Sequence, residues 1–70
     1  MNKNILTLRE IEVMNLLIYG YNNSTIAEKL CISTHTIKAH MSSIYEKLDV
    51  SNRVQAVVKY LEGNLHKDSE

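Results

Sequence analysis

The run STHTIKAHMSSIYEKL, from Ser33 to Leu48, decides how the remainder of the chain is read. It opens on hydroxyl side chains, which cap a helix by accepting hydrogen bonds from its free N–H groups. Ile37, Met41, Ile44 and Leu48 then recur at helical spacing and draw a single apolar stripe. At about 100° per residue, the opposite face carries His35, Lys38, Ala39, Ser42, Ser43 and Glu46. The spacing predicts a helix over 34–48 with its stripe buried and a small, polar, lightly basic face left outside. Such a face is suited to a DNA major groove, with Lys38, Ala39 and Ser42 at its centre and His35 beside them.

Working outward, Asn22-Asn-Ser-Thr25 is a cluster of capping residues, and Ile26, Ala27 and Leu30 give a short helix over 23–30 one buried edge. Cys31-Ile-Ser33 leaves room only for a tight turn, with Cys31 a small, partly buried residue in it and Ser33 the next cap. Two helices joined by so short a turn form a helix-turn-helix. Further back, Thr7-Leu-Arg-Glu10 has the form of a capping box, and Leu6 and Ile11 can staple it. Leu8, Ile11, Met14, Leu17 and Ile18 are expected on the inner side of a helix over 8–19, closed by Gly20. Beyond Leu48, Asp49-Val-Ser-Asn52 breaks the chain. Asn52 and Gln55 can then cap a fourth helix over 53–62, lined by Val54, Val57, Val58 and Leu61 and ended by Gly63. The expected fold is all-α: a compact four-helix bundle over residues 7–63, with an N-terminal arm at 1–6 and a polar tail at 64–70.

Seventy residues make one small domain, and a single cysteine excludes an internal disulfide. No proline and only two glycines leave little space for irregular loops. Stability is expected from tight helix packing, aided by oligomerisation. No apolar run approaches the ~20 residues of a membrane span. The N-terminus lacks the apolar core, about 7–15 residues long, of a secretory signal. A cytoplasmic protein without membrane contact is the expectation. Eight basic and eight acidic residues cancel. Between Glu28 and Glu46, however, there is no carboxylate, while Lys29, Lys38, His35 and His40 fall there. A neutral total can therefore hide one positive face, with modest affinity from a single copy.

The chain carries no paired carboxylates, glycine-rich phosphate loop or recognisable nucleophile motif. His35 and His40, five residues apart, diverge around a helix, so neither a metal site nor a cofactor is expected and the chain is not read as an enzyme. Phosphate holding is a better use of the polar residues. Asn23, Ser24, Ser33, Thr34 and Thr36 lie at helix starts, where backbone and hydroxyl donors meet anions, and Lys47, Asn52 and Arg53 can hold a phosphate on the far side of the groove. The four tyrosines show no base-stacking spacing, and Tyr19 and Tyr60 are expected at the core edge.

Leu6-Thr-Leu-Arg-Glu10, Glu12-Val13, Leu16-Leu17, Gly20, Asn23, Ile26-Ala27, Leu30, Ile32-Ser33, Thr36-Ile-Lys38, His40, Ile44, Lys47-Leu48, Val50, Arg53 and Gln55-Ala56-Val57 together resemble the LuxR-type helix-turn-helix domain. That domain is the C-terminal half of quorum-sensing regulators and of response regulators of the NarL/FixJ class in two-component systems. The resemblance covers roughly residues 6 to 60. It implies a sequence-specific double-stranded DNA-binding domain of a bacterial transcription regulator, with the third helix as the recognition helix. Its base-reading positions fall on Lys38, Ala39 and Ser42, and its backbone contacts fall near Asn23, Ser24, Thr36, Lys47 and Arg53. It further implies a homodimer on DNA paired through the fourth helix, by Val54, Val57, Val58 and Leu61, with RNA polymerase as another candidate partner.

The chain departs from the family at three places. Positions 24 and 25, often Lys-Glu, are Ser-Thr, and position 42, often basic, is serine. No receiver or ligand-binding domain is expected ahead of the first helix, which fits an excised effector domain or a small stand-alone member of the class. Two alternatives remain open from the residues. One is region 4 of a sigma factor, whose helix-turn-helix opens similarly; the other is a protein-interaction module that keeps the fold and no longer binds DNA.

Overall fold

The computed structural model describes residues 5–69, with side chains described from 5 to 63. Most of the expected N-terminal arm and the final residue lie outside that range. Among the described residues four helices follow one another: α1 (Leu8–Ile18), α2 (Asn23–Leu30), α3 (Thr34–Leu48) and α4 (Arg53–Ser69). There is no strand among the described residues. Among the described residues, α1 and α3 each touch all the other helices, whereas α2 and α4 flank them without meeting.

Each helix starts where a side chain replaces the missing helical acceptor. The Thr7 hydroxyl accepts from the Glu10 N–H at 3.1 Å, while the Glu10 carboxylate accepts from the Thr7 N–H at 2.8 Å. That closes the capping box. Asn22 accepts from the Thr25 N–H at 2.8 Å and Ser33 from the Thr36 N–H at 3.1 Å. Asn52 accepts from the Gln55 N–H at 2.9 Å, but Gln55 reaches back to the Ser51 N–H instead of completing a second box.

The first three helices end in one shared way. Gly20, Cys31 and Asp49 are left-handed, at φ 97°, 60° and 60°. Their N–H groups donate to Leu17, Glu28 and Glu46, and the N–H of the residue after each reaches one position further back, to Leu16, Ala27 and Tyr45. This paired return is the Schellman arrangement, which satisfies carbonyls that would otherwise be orphaned. The residues donating those outer bonds, Tyr21, Ile32 and Val50, pack against the core. Gly63 differs: it is not left-handed, and α4 runs through it to Ser69. An interior glycine costs a helix only about 1 kcal/mol relative to alanine, and no proline follows to stop it. The fourth helix, expected over 53–62, thus passes the expected stop at Gly63 and reaches Ser69.

The core is formed by Val13, Met14, Leu17, Ile26, Ala27, Ile37, Met41, Ile44 and Ala56. Leu48 of the α3 stripe packs against it half-buried. On α1 the inner face is Glu10, Val13, Met14 and Leu17, not a line beginning at Leu8, which is 82% exposed, and Ile18 is also outside. The reason is that a polar residue, Glu10, holds a core position, so a reading based on apolar residues alone falls out of phase. On α4 the inner residues are Ala56, Val57 and Tyr60; Val54, Val58 and Leu61 turn outward. Tyr19 is exposed where the chain turns away after α1, its ring meeting Tyr21 edge-on at 6.0 Å between centroids. Cys31 is exposed rather than partly buried, because its left-handed backbone swings it off the end of α2.

Candidate nucleic-acid interface

Burial of Ile37, Met41 and Ile44 fixes which way α3 faces. Its remaining turns then present His35, Lys38, Ala39 and Ser42 together on one exposed side. Lys38 makes no ion pair or hydrogen bond among the described residues, so its ammonium is available to an acceptor. Lys59, exposed on α4, is likewise without a partner among the described residues, whereas the other described cations are engaged. Arg9 pairs with Glu12 at 3.3 Å, and the Lys29 ammonium lies over the Tyr21 ring, 4.8 Å from its centroid. Donors of this size and length on a helix face match what base edges offer: lysine to guanine O6 and N7, serine to several edges, an alanine methyl to a thymine methyl.

The helix starts supply the remaining polar groups. At α3, Ser33 and Thr34 are exposed, and the Ser33 and Thr36 hydroxyls share a hydrogen bond at 3.0 Å. At α2, Ser24 is exposed, and Asn23 is half-buried with its Oδ1 unpartnered among the described residues. Asn52 is exposed at the start of α4. Free N–H groups and the partial positive charge at such helix starts favour phosphate oxygens.

Two residues expected at phosphates are drawn inward instead. Arg53 donates from Nη2 to the Tyr21 carbonyl, tying the start of α4 to the turn between α1 and α2. Lys47 donates to Glu10 Oε1 at 2.8 Å, and its side chain is only 22% exposed. Ser43 is likewise not on the outer face, since its hydroxyl donates to Glu10 Oε2 at 2.7 Å. Burial by itself raises the Glu10 pKa, but hydrogen bonds from Lys47, Ser43 and Thr7, with the Lys47 charge, outweigh it and lower the value to about 2. Glu10 therefore stays ionised inside the domain. Its capping-box position marked it as a local helix start. Nothing in the spacing of residues 33 and 37 positions away could reveal its second role.

No group of three metal-binding side chains comes together among the described residues, and none of their helices is long and apolar enough to cross a membrane.

Residues 4–60 match the sequence model described as bacterial regulatory proteins, luxR family. The chain is 51% identical over 55 residues to the transcriptional regulatory protein DegU of Brevibacillus brevis, covering 79% of this chain and 23% of that protein. It is 55% identical over 53 residues to the transcriptional regulatory protein LnrK of Bacillus subtilis, covering 76% and 24%. It is 43% identical over 61 residues to the response regulator protein VraR of Staphylococcus aureus, covering 87% and 29%. The chain thus spans about a quarter of the length of these relatives. Their common ground is regulation rather than enzymatic catalysis, and the match extends from just before the Thr7 cap to Tyr60 on the inner side of α4. By fold, by helix order and by the extent of that match, the chain belongs to the luxR family of bacterial regulatory proteins.

Proposed function

We propose that this domain binds double-stranded DNA sequence-specifically as part of a bacterial transcription regulator, with α3 in the major groove. The observation that carries this reading is the exposed set His35, Lys38, Ala39 and Ser42 on a helix whose opposite stripe is locked in the core. Lys38, Ala39 and Ser42 read base edges, with His35 at the rim. Asn23, Ser24, Ser33, Thr34, Thr36 and Asn52 meet phosphates, largely through neutral donors and helix starts. The regulatory names of the relatives support the setting, which is cytoplasmic, where the DNA is.

The active form on DNA is a homodimer. Val54, Val58 and Leu61 make an outward apolar stripe on α4, 71%, 48% and 41% exposed, which supports pairing through that helix, while Val57 serves the core. Symmetric pairing would place two α3 helices on half-sites, as two-fold regulators require. The test is an NMR titration with a duplex selected from a random pool. Shift changes gathering on His35, Lys38, Ala39 and Ser42 support the reading. Changes that spare these residues and collect on another surface overturn it.

A further inference from the structure

We propose that Glu10, Ser43 and Lys47 form a positioning clamp that sets the rotation of α3 for base reading, and that Lys47 is not a phosphate contact. This rests on the DNA-binding reading above. The two carboxylate oxygens of Glu10 hold different rungs of α3: Oε2 takes the Ser43 hydroxyl at 2.7 Å and Oε1 the Lys47 ammonium at 2.8 Å. Those rungs are four residues apart, about 6 Å along the axis. The carboxylate is itself fixed at a third point, the Thr7 N–H, at 2.8 Å. Sliding or turning α3 against α1 therefore lengthens at least one of these bonds, and hydrogen bonds weaken quickly with poor geometry.

The consequence for recognition is geometric. Side chains on α3 lie about 5–6 Å from its axis. A rotation of roughly 10° therefore moves Lys38, Ala39 and Ser42 by about 1 Å, enough to spoil a bidentate contact. Burial of the apolar stripe is non-directional, so the directional bonds to Glu10 add a rotational restraint to that of core packing. Lys47 is mostly buried and its charge is met inside the protein, so no counterion is released on its account when DNA binds.

The clamp is tested on the folded domain with two duplexes, one selected from a random pool and its scrambled counterpart, titrated over a range of salt. Lys47→Met and the milder Ser43→Ala are measured at a temperature where circular dichroism shows each folded. A double variant, Glu10→Gln with Lys47→Met, leaves no unpaired charge should Lys47→Met alone be unstable. The expected result is a roughly tenfold fall in the ratio of the two affinities for Lys47→Met, of the order of one damaged base contact. A smaller fall is expected for Ser43→Ala, and an unchanged dependence of log affinity on log salt for both. Loss of about 0.9 from that salt slope in Lys47→Met would assign Lys47 to a phosphate and overturn the proposal. Unchanged discrimination in folded variants would leave the clamp a stabilising contact only, and also overturns it. A wild-type domain that binds neither duplex removes the DNA-binding reading itself, and the proposal with it.

Discussion

The Lys47 ammonium sits 2.8 Å from the Glu10 carboxylate across the contact between α1 and α3, though 37 positions separate them in the chain. The folded-state pKa of Glu10, about 2 against an ordinary 4.5, makes this contact a pH-dependent part of stability. A carboxylate with a depressed pKa contributes fully above its unfolded value and loses the contribution as pH falls through the folded one. A shift of that size corresponds to about 3 kcal/mol. Urea unfolding followed from neutral pH downward is expected to show stability falling chiefly between pH 4.5 and about 2. Glu10→Gln is expected to begin about 2–3 kcal/mol lower, since Lys47 loses its buried partner, and to show a flatter profile. Parallel profiles for the two proteins would place the acid sensitivity elsewhere.

Cys31 occupies a left-handed backbone position at φ 60° and is exposed, so its side chain pays little back for the conformation. Left-handed geometry costs an ordinary L-residue about 1–2 kcal/mol, part of which glycine returns as unfolded-state entropy. Cys31→Gly is expected to raise stability by about 0.5–1 kcal/mol in chemical denaturation. Asp49, at the same φ, belongs to a residue type that tolerates this region, so Asp49→Gly is expected to gain less. A destabilised Cys31→Gly would mean that the thiol makes a contact which its exposure does not suggest.

What the sequence makes legible follows from which signals are local. Caps at Thr7, Asn22, Ser33 and Asn52 and the α3 stripe depend on neighbours within a turn, and the structure has them as expected. Signals that need a partner from another helix were not legible. Glu10 reads as a surface cap until α3 brings Ser43 and Lys47 to it; that contact puts a charge in the core face of α1, so the apolar phase that points Leu8 inward does not hold. On α4, valines at 54, 57 and 58 look equivalent; only packing against α3 and α1 selects Val57, with Ala56, for the core. Of the candidate site, the exposed face of α3 was readable because its opposite stripe is regular. The inward turn of Ser43, Lys47 and Arg53 was not.

Adjacent positions on α3 are expected to separate stability from recognition. Ile37 is fully buried, and Ile37→Ala is expected to cost about 2–5 kcal/mol through lost burial and the cavity left behind. Lys38 is exposed, so Lys38→Ala is expected to change stability by no more than about 0.5 kcal/mol. In duplex titrations the same Lys38→Ala is expected to lose about 1–3 kcal/mol of discrimination between a selected and a mismatched site. Equal weakening on every sequence would make Lys38 a phosphate contact instead.

The α4 stripe allows a comparable separation for assembly. Val58 is 48% exposed and Val57 packs against the core, so an acidic residue at 58 meets solvent in the monomer and meets its own copy in a symmetric dimer. Val58→Asp is expected to leave the monomer within about 0.5 kcal/mol of wild type by thermal or chemical denaturation. On a duplex with two half-sites, band-shift titration is expected to change from a single cooperative step to two independent ones, because two facing carboxylates disfavour the paired state. Val57→Ala is expected to do the reverse, lowering stability by about 1 kcal/mol or more through lost core packing while leaving the cooperative step intact in the folded protein. Retained cooperativity in Val58→Asp would move the pairing surface off α4 and leave Val54, Val58 and Leu61 to another partner.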